Sequence, residues 1–102
     1  MSVTIEEQLR TYAEEDITIP DSSTRLTVTN ALNPFLRKIE IFVEDAQIRF
    51  RMDGTAPTAT VGEILNPFDR LTIYNALDAR NFRAIRTGGT SATLRVRYKR
   101  RK

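Results

Sequence analysis

The sequence contains no cysteine, no histidine and no tryptophan. Without cysteine, no disulfide can staple the fold and no thiolate can ligate a metal or attack a substrate. Without histidine, the commonest general base and the usual zinc ligands are gone, and with them every Ser-His and Cys-His nucleophilic site. Long apolar runs are missing too: nothing approaches the roughly 18 consecutive apolar residues of a membrane-spanning helix, so no membrane partner is expected. The segment MSVTIEEQLR places acids where a secretory signal needs a basic stretch followed by an apolar one, so a soluble intracellular product is expected. No motif asks for a cofactor or a metal, and none is expected.

What is present fits one small domain. The 102 residues are 40% hydrophobic and 28% charged, enough for one core and not two. Charge is unevenly spread. Residues 1–16 hold five acids (Glu6, Glu7, Glu14, Glu15, Asp16) against Arg10, a balance of −4, whereas residues 81–102 hold eight bases (Arg83, Arg86, Arg95, Arg97, Lys99, Arg100, Arg101, Lys102) and no acid, +8. In the acidic head Ile5, Leu9 and Tyr12 or Ala13 recur at helical spacing. The segment is only weakly apolar, which predicts a short helix or an extended arm that needs a surface to pack on.

From residue 17 the texture is β: short alternating runs rich in Ile, Val, Thr and Phe, punctuated by Pro, Gly, Asn and Asp. Strands are predicted at 17–19, 25–29, 38–44, 47–52, 70–74, 82–86 and 93–99, with a short piece near 60–65. Seven or eight short antiparallel strands predict an all-β fold, a single β-sandwich of jelly-roll-like or immunoglobulin-like type. The expected organisation is an N-terminal arm or short helix at 1–16, a sandwich domain at 17–99 and a basic tail at 100–102.

One hairpin is predicted in detail. A turn about Asp45 and Ala46 would pair Val43 with Ile48, Ile41 with Phe50 and Ile39 with Met52 on an apolar face. The opposite face would match Phe42 with Arg49, Glu40 with Arg51 and Lys38 with Asp53. There is also an internal echo: RLTVTNAL at 25–32 returns as RLTIYNAL at 70–77. One repetition is too little for a solenoid; it predicts two similar strand-and-corner units in the two halves of one sandwich.

The loops offer little chemistry. In RMDGTAPTATVG, residues 51–62, Asp53-Gly54 supplies a turn, Pro57 removes a backbone donor, and the threonines can satisfy loop amides, so the segment reads as a strand connection. RTGGTSAT, residues 86–93, lacks the Gly-Lys-Ser/Thr opening of a phosphate-binding helix and reads as a hairpin connection. Isolated Glu44-Asp45 and Asp53-Gly54 do not make a calcium ladder. Carboxylates from distant strands could meet, but a domain this small leaves little room for a substrate cleft, and no catalysis is expected.

The basic end carries the strongest charge signal. In TLRVRYKRRK, Leu94, Val96 and Tyr98 point one way and Arg95, Arg97 and Lys99 the other, a ridge that runs on into Arg100, Arg101 and Lys102. Such a ridge could contact phosphates, although the modest net charge of +3 and the lack of tryptophan or an exposed aromatic series disfavour a dedicated single-strand binder. A third use joins the ends: the acidic head of one subunit docking on the basic strand of its neighbour. Phe42 beside Arg49 is a further contact candidate.

The runs IRFRMDGTAPTATVGEIL and FRAIRTGGTSATLRVRY resemble small structural proteins of tailed bacteriophages. The matching positions are Arg49, Arg51, Asp53, Gly54, Thr55, Pro57 and Thr58 in the first run, then Phe82, Arg83, Ala84, Ile85, Arg86, Thr87 and Gly88 in the second. The resemblance spans roughly residues 39–98. It implies a noncatalytic virion protein of β-sandwich fold, assembled in the host cytoplasm, that decorates or cements the capsid through the major capsid protein as a homo-oligomer such as a trimer. A head–tail connector or tail component is the alternative within the virion, and a nucleic-acid-associated module the alternative outside it. The resemblance implies a framework role for its matched residues. Partner contacts are expected from Glu6, Glu7, Glu14, Glu15, Phe42, Arg49, Arg95, Arg97, Lys99, Arg100 and Arg101.

Overall fold

A computed structural model describes residues 9–101. In chain order the elements are β1 (Leu9–Ile19), β2 (Thr24–Arg25), α1 (Val28–Ala31), β3 (Leu36–Val43), β4 (Ile48–Arg51), β5 (Glu63–Leu65), β6 (Arg70–Ile73), α2 (Ala76–Asn81), β7 (Arg83–Arg86) and β8 (Ala92–Arg101). The strands form two antiparallel four-stranded sheets, β1-β8-β3-β6 and β2-β7-β4-β5. The expected all-β sandwich is what the chain adopts.

The pairing has a simple rule. The first strand pairs with the last, the second with the second-to-last, and so inward to β4 with β5. The chain therefore doubles back at the loop after β4 into a long two-stranded ribbon. Successive stretches of that ribbon fall alternately in one sheet and the other, and the β3·β8 and β4·β7 ladders close each sheet. A ribbon wound in this way is a jelly roll.

Period-2 alternation explains why it winds. In β3, Leu36, Ile39, Ile41 and Val43 are buried, and in β8 so are Ala92, Leu94, Val96 and Tyr98. From the other sheet Ile48, Phe50, Leu65 and Ala84, together with Phe82 at the end of α2, close the core, with the Phe50 and Phe82 rings stacked 5.7 Å apart. Each sheet alone would leave its apolar face in water, so the two faces must meet.

The predicted β3–β4 hairpin does not form. Both sides of β3 are taken, by β8 and β6, and the Asp45 carboxylate accepts from the Thr93 N–H at 2.8 Å and the Thr93 hydroxyl at 3.2 Å, so the connection is fastened to β8. The apolar rows 39/41/43 and 48/50 share one core but from opposite sheets. Their alternation is equally compatible with facing rows and with neighbouring rows, which is how the register misled.

The acidic head is likewise not a separate arm from residue 9 onward. Leu9–Asp16 and residues 17–19 are one strand, paired along β8 with a bulge between Thr11 and Ala13. Glu15 on the inward side and the bulge break the alternation that would have announced it. The echo, by contrast, lands where the two-unit reading put it. Residues 25–32 run from edge strand β2 into α1, and residues 70–77 from edge strand β6 into α2. In the second copy Asn75 caps the helix, its Oδ1 accepting from the Leu77 N–H at 2.7 Å.

Because Ile41 is fully buried between both neighbours of β3, Ile41→Ala should cost about 2–5 kcal/mol. A urea titration would register this as a lowered midpoint at unchanged slope.

Candidate functional site

The loop at the ribbon's tip, residues 52–62, is built from its own side chains. Arg49 reaches from β4 to two loop carbonyls, its Nε donating to the Ala59 oxygen at 3.1 Å and its Nη1 to the Gly62 oxygen at 2.7 Å. Arg51 pairs with Asp53, Nε to Oδ1 at 3.1 Å, and Asp53 also accepts from the Thr55 N–H at 3.0 Å. The Arg51 guanidinium, then the Thr55 amide, hold the Asp53 carboxyl well below the usual carboxylate range. Pro57 is buried. Gly62 has φ +131°, and a Cβ there would lie 3.1 Å from the Phe50 carbonyl oxygen and 3.2 Å from Pro57 Cβ; both conformation and space require glycine. A depression of about 500 Å³ beside it is lined by Phe50, Arg51, Met52, Asp53, Gly62 and Glu63. Of its charged groups, Arg51 and Asp53 are spent on one another.

The basic ridge of β8 is answered within the chain. On the outer face of its sheet the strands order acid, base, acid: Glu14 of β1 opposite Arg97 of β8 opposite Glu40 of β3. Arg97 Nε lies 2.9 Å from Glu14 and its Nη1 3.8 Å from Glu40. Arg95 reaches Glu44 at 2.8 Å and Asp16 at 3.5 Å. Lys99 and Lys38 both approach Glu40 at 3.5 Å. Each pair is partly exposed and individually worth at most about 1 kcal/mol, but together they neutralise the ridge. The docking of acidic head on basic strand expected between subunits thus occurs in cis.

The remaining expected contacts divide. Arg100 stacks its guanidinium over the Phe35 ring at 4.7 Å, and Arg101, opposite Leu9, is exposed. Phe42 does lie on an outer face, half-buried, but the cation over it is Arg70, directly opposite in β6 and 4.7 Å away, while Arg49 belongs to the other sheet. The Phe68 ring adjoins Phe42 at 6.3 Å, is 75% exposed and sits on a left-handed backbone at φ 74°. Its N–H donates to the Val43 oxygen at 2.7 Å, which holds that turn against β3. Glu15 points inward, accepting from the Thr27 hydroxyl and, at 2.6 Å, from Asn30 Nδ2, and so moors α1 to β1. Beside it, burial and then the Glu15 charge push the Tyr98 phenol well above its ordinary range. Glu6, Glu7 and Lys102 lie outside the described residues.

One charged feature emerges only from the register. Arg25 of β2, Arg83 of β7 and Arg51 of β4 are directly opposite one another on the outer face of the second sheet. Neighbouring strands are about 4.8 Å apart, and like charges so placed repel. Among the described residues only Arg51 of the three is paired with an acid, Asp53; Arg25 is exposed, and the buried Nε of Arg83 finds no acceptor among them. The sequence-level signal was an arginine at the outward position of three strands, which becomes a row only when distant strands are aligned.

Comparison of the chain with protein-family models, with curated proteins and with solved structures gave no match.

Arg49→Gln should free the tip loop: about 1.5–3 kcal/mol of charge-assisted hydrogen bonding is lost, and limited proteolysis should then cut within residues 52–62. Tyr98 supplies a pH test. A phenol whose folded pKa is raised contributes stability that is intact below the unfolded value of about 10 and declines as pH climbs from there toward the folded value. Thermal melts should therefore show the parent losing stability above pH ~10 and Tyr98→Phe losing less.

Proposed function

We propose that the chain is a noncatalytic structural component of a tailed-phage virion, a decoration or cement protein that binds the major capsid protein as a homo-oligomer and stabilises the head. The observation that carries this reading is the use made of the first phage-like run. Arg49, Arg51, Asp53, Thr55 and Pro57 spend their polar and apolar groups on holding the tip of the ribbon, with Gly62 beneath. That is framework work, matching the role the resemblance implies for them. The jelly-roll order supports the reading at the level of fold, since viral capsid domains are among the proteins built this way, although the same fold carries unrelated functions elsewhere.

A nucleic-acid module centred on β8 has less to draw on, because Arg95, Arg97 and Lys99 already face Asp16, Glu44, Glu14 and Glu40.

The test is cosedimentation of the purified protein with heads of the encoding phage that lack it, alongside light scattering of the free protein. Saturable binding, heads that survive a higher temperature, and a defined oligomer are expected. Heads that neither bind the protein nor gain stability from it would sink the proposal, and salt-sensitive retention on DNA would replace it.

A further inference from the structure

We infer that the outer face of the β2-β7-β4-β5 sheet is a docking surface for a partner protein, and that Arg25 and Arg83, in a row with the Asp53-paired Arg51, receive carboxylates from that partner. The two outer faces of the sandwich are finished differently. On the β1-β8-β3-β6 face each base of β8 from Arg95 to Lys99 has an acid within ion-pair reach. On the other face three arginines are set side by side across three strands, and Asp53, on Arg51, is the single acid among their partners in the described residues. A row of opposed like charges costs stability, and a carboxylate delivered from outside relieves it.

The neighbouring row identifies the kind of anion. Ile64 of β5, Arg49 of β4 and Ile85 of β7 lie opposite one another. Ile64 is 43% exposed and Ile85 half-buried, while the head of Arg49 is turned into the tip loop. The face is thus arginine beside aliphatic. Arginine is enriched at protein–protein interfaces, and its planar fork matches a carboxylate in two parallel hydrogen bonds. Nucleic-acid platforms instead interleave their bases with aromatic rings, and the paired positions of these two rows hold none. An acidic, partly apolar protein surface fits best.

This inference deepens the virion reading and rests on it for the identity of the partner, but it is tested separately. Backbone-amide NMR of the full chain would be followed during titration with a short synthetic peptide alternating Glu and Leu, and in parallel with a short duplex DNA. Shifts confined to β2, β7 and β4 are expected with the peptide. R25Q/R83Q should bind it at least about tenfold more weakly with a melting temperature no lower than the parent's, since it removes repulsion. R95Q/R101Q, which removes the same charge elsewhere, should bind as the parent does. If R25Q/R83Q unfolds, the exposed single substitution Arg25→Glu carries the test through the same loss of affinity. Peptide shifts that map to β8, equal weakening by both double variants, or stronger binding of DNA at these arginines would overturn the inference. Cosedimentation separates the two proposals: heads that bind the parent and R25Q/R83Q equally overturn the arginine row alone, and a chain that binds the peptide through the row but binds no head overturns the virion reading alone.

Discussion

The fold depends on the pairing of β1 with β8. These are the two longest strands, Leu9–Ile19 and Ala92–Arg101, and joining them closes the open end of a ribbon whose other end is the tip loop. Once the chain's two ends are held together, β2 lies beside β7, β3 beside β6 and β4 beside β5 in turn. The ribbon has one apolar side, and winding lets that side face itself across a layer of about 10 Å. Long-range closure of this kind has to overcome loop entropy before any contact repays it. The charges that meet along β1 and β8 mark the correct register out of several apolar alternatives.

Electrostatics then gives the sandwich two unlike outer surfaces. Glu14, Asp16, Glu40 and Glu44 are interleaved with Arg95, Arg97 and Lys99, so the face that the linear sequence marks as most basic is nearly neutral. On the far sheet Arg25 and Arg83, which have no acid partner among the described residues, come together with the Asp53-paired Arg51 from positions scattered along the chain. Surface pairs contribute little stability singly; their larger effect here is on where the molecule can attract a partner, because a neutralised face steers nothing and an arginine row does.

Much of the secondary structure was legible before folding. The predicted runs at 38–44, 47–52, 60–65, 70–74, 82–86 and 93–99 all fall on a strand, because period-2 burial writes itself into each segment locally, whereas the run at 25–29 shares only Arg25 with β2 and passes into α1. The start of β1 was not legible, since Glu15 occupies an inward position where it binds Thr27 and Asn30 rather than filling the core. The two short helices were hidden inside the echoed NAL corners. At the candidate site, the framework role of Asp53-Gly54 and Pro57 was visible as turn chemistry, but Arg49 looked like a cross-strand partner of Phe42. Its true contacts are carbonyls of Ala59 and Gly62, which no spacing rule could name.

By itself, the sequence determined which side of the strands from β3 onward is apolar, where the chain must turn, and which reactive groups are absent, since all three follow from the identity of residues and their immediate neighbours. Only the tertiary structure decided which strands are neighbours, and so which charges meet. A strand alternating Ile with Glu or Arg is satisfied by any partner of matching pattern, beside it or across the core. The choice among those partners is made by closure of the whole ribbon, which turned Arg95, Arg97 and Lys99 into half of a neutral ladder and assembled the arginine row from Arg25, Arg51 and Arg83.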